Sequence, residues 1–274
     1  MFREKTWWVT GASSGIGAAM AKALANAGAR LVLSGRNVDA LNDVGRECSE
    51  ETLILPFEVT EFDRIPALVE EAWSWAAAKG RGIDGLINNA GISQRSLAVE
   101  TVFDVYQKLI AVDLLAPIAL TQALLPRMVG SGGGNIVAIS SVAGLVGIPL
   151  RSAYCAAKHG LVGYHDSLRS EVAHQGIVVL VVAPGSVQTN VSRNALNASA
   201  KSRGISDDAI DQGMEAQVAA SKIVDAIRGS KRELILAEGT EADIVALRRS
   251  DPDALFDAMA DLVSAGYANK LAAR

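Results

Sequence analysis

The amino-acid sequence predicts an α/β fold: a doubly wound, seven-stranded parallel sheet with helices on both faces. Three observations carry the prediction. Short apolar runs alternate with longer stretches whose apolar residues recur at helical spacing. The short runs are apolar throughout, as strands covered on both faces are. Strands that alternate with helices connect by right-handed crossovers, which wind the sheet on both sides.

The first strand, residues 5–10, follows a charged N-terminal stretch and ends at Gly11. A helical pattern at 15–27 leads to strand 29–34, and a second at 38–50 leads to strand 52–57. Residues 64–79 read as helix and 83–87 as strand. The long pattern 101–129 precedes Ser131-Gly-Gly-Gly-Asn135, a turn that feeds strand 135–140. Residues 152–174 then read as helix, 177–183 as strand, 207–228 as helix and 233–237 as the seventh strand. Past residue 251, Leu255, Phe256, Met259 and Leu262 fall at helical spacing, so 251–274 is expected to be a helical tail. No repeat and no Pro-, Gly- or Ser-rich linker divides the chain, and 1–274 reads as one domain. Segment 190–213 is small, polar and irregular. It lies after the sixth strand, where open sheets bind ligands, and reads either as a substrate loop or as a plain surface connection.

Half of the 274 residues are hydrophobic and a fifth are charged, enough for a large core without disulfides. A net charge of -4 and a pI near 5.5 argue against nucleic acid as a partner. The two cysteines, Cys48 and Cys155, make no disulfide framework, and no metal site is expected from them or from His159, His165 and His174. The N-terminus lacks the apolar core of a signal peptide. No uninterrupted apolar stretch reaches the roughly 18 residues of a membrane span. The expectation is a soluble, cytoplasmic protein.

Thr10-Gly11-Ala12-Ser13-Ser14-Gly15-Ile16-Gly17 follows the first strand and opens the first helix. Glycines let the backbone turn tightly and approach a pyrophosphate, and the helix N-terminus offers free N–H groups. A glycine-rich turn alone would be weak; its place in a βαβ unit points to a dinucleotide. Gly11, Ser13, Ser14, Gly15, Ile16 and Gly17 are therefore candidate cofactor contacts.

The spacing Gly-x-x-x-Gly-x-Gly resembles the loop of the short-chain dehydrogenase/reductase family. Asn88-Asn89-Ala90-Gly91, Ser140-Ser141, Tyr154-Cys-Ala-Ala-Lys158 and Pro184-Gly185 follow in that family's order, over roughly the first 190 residues. The resemblance implies a single-domain Rossmann fold and an oxidoreductase that uses a nicotinamide nucleotide. It also implies that Asn89, Ala90 and Gly91 flank the cofactor while their turn steadies the central sheet. Glu58 and Val59 stand where the family places Asp-Val at the adenine pocket. Pro184, Gly185, Val187 and Thr189 match the segment that holds the nicotinamide.

The second strand ends in Leu33-Ser34-Gly35-Arg36-Asn37, with Gly35 where an acid would bind the ribose hydroxyls of NAD. The Arg36 guanidinium offers a fixed-charge fork for a phosphate, and Ser34 offers a hydroxyl beside it. Asn37 completes the candidate set. NADP(H) is expected over NAD(H), against the plainer reading of Arg36 as a solvated helix-start residue.

Tyr154 and Lys158 are one helical turn apart and share a face. A phenol ionises near pH 10 in water, and an adjacent ammonium favours the phenolate. Such a pair suits proton transfer to a carbonyl or from an alcohol. Ser140 and Ser141 both end the fifth strand, and the residues alone do not separate them; the resemblance assigns the catalytic hydroxyl to Ser141. It further implies an asparagine in the long helix after the fourth strand, where this chain has Asp113. An aspartate keeps the acceptor oxygens, loses the amide donor and adds a charge beside Lys158. Asp113 reads equally as part of a modified proton relay and as a tolerated polar residue.

Leu145, Val146, Ile148 and Pro149 suggest one apolar wall near the reacting carbon, and Val191, Ala195 and Leu196 another, so an apolar ketone or alcohol is expected. No convergent basic cluster is visible for an anionic substrate. Cys155 is expected to be a packed thiol, His159 a packing or surface residue, and Trp73 and Trp75 packing on the third helix. The stretch Thr189–Asn197 resembles the "member seven" dehydrogenase/reductase branch, whose relatives carry a membrane anchor that this sequence is expected to lack. The long helices 101–129 and 152–174 resemble those through which the family forms dimers and tetramers.

Overall fold

Trp7 and Trp8 are neighbours in β1 (Thr6–Thr10), yet they enter different cores. Successive strand residues point to opposite faces, and here both faces are covered, so both indoles are buried. The computed structural model describes residues 2–48 and 51–267. In chain order the elements are α1 (Gly15–Asn26), β2 (Arg30–Ser34), α2 (Val38–Cys48), β3 (Thr52–Ile54), α3 (Ile65–Ala77) and β4 (Ile83–Asn88). They continue with α4 (Phe103–Ile110), α5 (Ala116–Gly130), β5 (Gly134–Ile139), α6 (Ser152–Val172) and β6 (Ile177–Pro184). The chain closes with α7 (Asp208–Asp211), α8 (Ala216–Arg228), β7 (Glu233–Leu236), α9 (Thr240–Ser250) and α10 (Pro252–Ser264).

The seven strands are all parallel, in the order β3-β2-β1-β4-β5-β6-β7, as the sequence predicts. One face packs Trp7, Leu31, Leu33 and Val182 against Met20 and Leu24 of α1 and Ile223 and Ile227 of α8. The other packs Trp8, Val32, Leu86 and Ile136 against α3, α5 and α6 through Leu68, Leu124 and Leu168. Trp73 and Trp75 are partly buried on this second core. Truncating any one of the fully buried Leu, Ile, Met or Trp side chains to alanine would cost about 2–5 kcal/mol. The strand order reverses between β1 and β4, and the crevice at that point is where open sheets bind ligands.

Four elements depart from expectation, each for a local reason. Strand 52–57 is cut to β3 because Pro56 has no N–H to donate, although Leu55 and Phe57 still bond to Leu33 and Gly35. Helix 101–129 contains a π-helical turn at Ala111–Leu115, ending two residues before Pro117, which removes a ladder hydrogen bond. Helix 207–228 is interrupted because Met214 leaves it to pair with Val187, and Met214 N and O bond to Ser186 O and Gln188 N. Helix α9 was not expected: its surface is polar and Val245 is its single buried residue. The tail forms α10, with Leu255 buried and Phe256 and Leu262 exposed. Residues 49–50 of the second expected helix and 268–274 of the tail lie outside the described residues.

The run Phe103–Gly130 is long and apolar enough, by length and composition, to cross a membrane. Here Val105, Leu109, Asp113, Leu120, Leu124 and Met128 are buried within the fold.

Candidate active site

An open cleft of about 280 Å³ runs along the carboxyl ends of the strands at the β1/β4 switch. The loop after β1 forms its floor. Gly11 and Gly15 both adopt left-handed φ, at +64° and +55°, which glycine takes without strain. A side chain at Gly17 would strike the Gly11 carbonyl and the Asn89 amide, so the start of α1 packs directly on the loop. Ser14 caps α1 without using its side chain. The loop is tied to the next turn by Asn89, whose Nδ2 donates to Thr10 O at 3.0 Å and to Gly11 O at 3.3 Å. Thr10 Oγ1 in return accepts from the Asn89 and Ala90 N–H groups. Asn88 turns the other way and donates to Thr121 at 2.9 Å.

Gly11, Ser13, Ser14, Gly15, Ile16, Asn89, Ala90 and Gly91 line the cleft; Gly17 supports it from behind. At the far end of the β6 segment, Pro184, Gly185, Val187 and Thr189 line it too. A Cβ on Gly15 would lie 2.9 Å from Thr189 Cγ2, so the two loops meet across the groove. Arg36, Glu58 and Val59 line the end near β2. There Arg36 is 74% exposed and its Nη1 donates to Glu58 at 3.4 Å. Ser34 and Asn37 do not reach the cleft, against expectation. The buried Ser34 hydroxyl accepts the Trp8 indole N–H at 2.9 Å, and Asn37 Oδ1 accepts the Ala40 N–H at 3.0 Å within α2.

The proton-transfer candidates converge on the same cleft. Tyr154 and Lys158 project from α6, with Lys158 Nζ 5.7 Å from the Tyr154 ring centroid. Lys158 is buried; its Nζ donates to Ile139 O at 3.0 Å and sits 3.3 Å from Asp113 Oδ2. Burial pulls the ammonium pKa down most strongly, but Asp113 and Tyr154 together leave it above the ordinary lysine value. Asp113 sits in the π-helical turn, wholly buried, and its Oδ1 accepts the Ile92 N–H at 2.9 Å. Burial raises its carboxyl, opposed by Lys158 and that N–H. Ser140 Oγ is buried and donates to Lys158 O at 3.1 Å, fastening β5 to α6. Ser141 Oγ is more open; it accepts the Ala143 N–H and makes a long 3.3 Å bond to Pro184 O.

A family model described as short chain dehydrogenase matches residues 5–200. The chain belongs to the short-chain dehydrogenase/reductase family. It is 40% identical over 255 residues to dehydrogenase/reductase SDR family member 7B of Mus musculus, covering 92% of this chain and 79% of that one. To SDR family member 7 of Homo sapiens it is 42% identical over 198 residues, 69% of this chain and 57% of the relative. Among solved structures, a short-chain dehydrogenase from Streptomyces avermitilis superposes with a TM-score of 0.80 at 29% identity, over 96% of this chain and 98% of that one. This member of the family is thus an oxidoreductase that binds a nicotinamide nucleotide and a small-molecule substrate.

In this dehydrogenase/reductase the substrate end differs from the sequence expectation. Val191 lines the cleft, but Leu145, Val146, Ile148 and Pro149 do not. Val146 packs with Val142, Val245 and Leu255, so that apolar run is core shared with the C-terminal helices. Leu196 packs near Tyr154 with Val105 and Leu109, and Ala195 is buried. Ile92, Val112 and Ile210 supply apolar lining that sequence reading missed, because they lie on three separate elements. Glu241 of α9 was also missed. Its carboxylate accepts the Ser186 N–H and hydroxyl, both at 2.8 Å, and so braces the turn between Pro184 and Thr189.

Three arginines do converge: Arg95, Arg151 and Arg203 surround Asp207. None of them lines the cleft. Burial brings Arg95 down to about 10, while Asp207 is brought to about 2 because its arginines outweigh the upward push of burial. Cys155 is a buried thiol raised by burial, and it accepts the Ile148 N–H. His159 is exposed, its Nδ1 2.8 Å from Cys155 O. Among the described residues no His, Cys, Asp and Glu cluster suited to a metal occurs.

Proposed function

We propose that the chain interconverts a carbonyl and an alcohol with NADP(H), using Tyr154 as general acid and base. The observation that carries this reading is the convergence of Tyr154, Ser141 and Lys158 on the cleft that also holds the glycine loop. The residues present fit a dinucleotide: any side chain at Gly11 would fill the floor against Ala90, and the α1 N-terminus has no side-chain cap. When bound, the nicotinamide supplies or accepts the hydride.

The chain's own residues handle the proton. In reduction Tyr154 donates to the carbonyl oxygen; in oxidation its phenolate takes the alcohol proton. Ser141 gives up its long bond to Pro184 O and donates to the same oxygen, stabilising the charge that develops there. Lys158, a cation held by Ile139 O and Asp113, keeps one N–H for a nucleotide hydroxyl and lies 5.7 Å from the Tyr154 ring centroid. Arg36 supports NADP over NAD: it is exposed, it can exchange Glu58 for a phosphate, and Gly35 beside it presents no carboxylate.

Ile92, Val112, Val191 and Ile210 at the substrate end favour an apolar ketone or secondary alcohol. The exposed side chains of Phe103 and Leu115 on the long helices suit a homodimer or homotetramer, and two free cysteines suit a reducing cytoplasm. The test is a carbonyl and alcohol panel read by nucleotide absorbance, comparing wild type with Tyr154→Phe. Turnover should fall by roughly 10²–10⁴-fold with NADP(H) binding kept. Equal turnover by both proteins would overturn the reading.

A further inference from the structure

Residues 93–96 follow the Asn88–Gly91 turn and are polar, yet all four are buried. Polar groups buried in this way are expected to be fully bonded, and their partners reveal what they hold. Gln94 Oε1 accepts the Ala153 N–H at 2.8 Å, in the first turn of the helix that carries Tyr154. Ser96 N donates to Leu150 O at 3.0 Å. Gln94 Nε2 and Ser96 Oγ bond locally, to Ser96 and Thr101, and other bonds cross to the loop after β6. Leu196 N donates to Ser93 O at 2.8 Å, and Arg95 N donates to Leu196 O at 2.9 Å, which makes a short parallel bridge.

The Arg95 side chain completes the crossing. Its Nε donates to Asp207 at 2.6 Å, and its Nη1 donates to Ser93 Oγ and Gln94 O. Asp207 also accepts from Arg203 and lies 3.8 Å from Arg151. Its own N–H donates to Ser192 Oγ at 3.0 Å, closing the loop on itself across 15 residues. Ser192 and Asp207 are both buried. Immediately around these anchors, Val191, Asn194 and Ile210 line the cleft near Tyr154.

We propose that Arg95 and Asp207 are positioning residues whose ion pair latches segment 190–207 against the substrate end of the cleft. The latch is charge-specific. One carboxylate offsets three buried or half-buried guanidinium groups, so removing it leaves like charges facing one another and drives the loop apart. A latch made only of the Leu196 bridge would be two backbone bonds, which fray readily. The proposal rests on the reading that this cleft is catalytic, and its test separates the two.

The experiment uses the full chain with NADP(H) and a carbonyl substrate that the wild type reduces. Asp207→Asn keeps the size of the side chain and removes its charge. Its KM for the carbonyl should rise about tenfold or more, with kcat changed less than about threefold and NADP(H) affinity kept. Amide hydrogen exchange in 192–207 should quicken by roughly tenfold while the sheet is unchanged. Asp207→Glu should recover part of both effects. Ser192→Ala removes only the acceptor of the Asp207 N–H; it should shift exchange in the same direction by less, and it serves if Asp207→Asn does not fold. Unchanged loop exchange in these variants, or faster exchange spread equally over the sheet, would overturn the latch. If the wild type reduces no carbonyl, the catalytic reading fails, while the exchange measurement still decides the latch.

Discussion

Asp113 Oδ2 lies 3.3 Å from Lys158 Nζ, in a place where neither side chain keeps appreciable contact with solvent. Burial pulls the Lys158 pKa down; Asp113, followed by Tyr154, outweighs that pull and favours the ammonium. A lysine raised in this way contributes stability fully below its unfolded pKa of about 10.4 and loses it only as pH climbs through the higher folded value. Asp113→Asn keeps an acceptor for the Ile92 N–H and removes the counter-charge. The balance on Lys158 then tips toward burial. The alkaline limb of the pH profile of kcat/KM should move to lower pH, since a close opposite charge favours the ammonium and its loss does the reverse. A profile that superposes on the wild type would show that Asp113 is only a packed polar residue.

Sequence reading reached the sheet, and it picked out the glycine loop and the Tyr154–Lys158 pair that line one cleft, because each rests on a local pattern: continuous apolar strands, glycine spacing, a single helical turn. It did not reach pairings between distant segments. Arg95, Arg151 and Arg203 meet at Asp207 although more than 50 residues separate each from the next. Nothing periodic in the chain marks that convergence. Met214 breaks a helical pattern only because Val187 is waiting for a partner. Ser140 and Ser141 are identical in type and adjacent, so only the bonds they make tell them apart. One fastens β5 to α6; the other keeps a long bond that it can exchange. Ser34 illustrates the converse error: it ends β2 beside Gly35 and Arg36, which line the cleft, but it is buried and its hydroxyl is spent on Trp8.

Arg36 is the residue on which nucleotide preference is expected to turn. It is mostly exposed, and its pairing with Glu58 at 3.4 Å is a surface contact of small net worth. A charge-assisted bond to a phosphate is worth about 1.5–3 kcal/mol, or roughly 10–100-fold in affinity. Arg36→Ala should therefore weaken NADPH binding by that factor and leave NADH binding within about twofold. Titration of both nucleotides by fluorescence measures this directly. Equal losses for the two would mean that Arg36 supports the loop instead of reading the phosphate.

His165 gives the fold a separate sensitivity to acid. It is wholly buried on α6, with Nδ1 2.8 Å from Leu161 O and Nε2 without a hydrogen-bond partner. The neutral ring with its proton on Nδ1 satisfies Leu161; a second proton would place an unpaired N–H and a charge in the interior. Burial accordingly lowers its pKa to about 4, with the Leu161 bond acting weakly the other way. Because the unfolded chain takes up this proton near pH 6.5 and the folded one does not, stability falls as pH drops from 6.5 toward 4. Between pH 7.5 and pH 5 the loss from this one ring is about 2 kcal/mol. His165→Phe keeps an aromatic ring beside Tyr164 and removes the titration. Urea unfolding at the two pH values should show the variant losing about 2 kcal/mol less than the wild type. The comparison is between slopes, so any fixed packing cost of the substitution cancels, and parallel losses in the two proteins would sink the assignment.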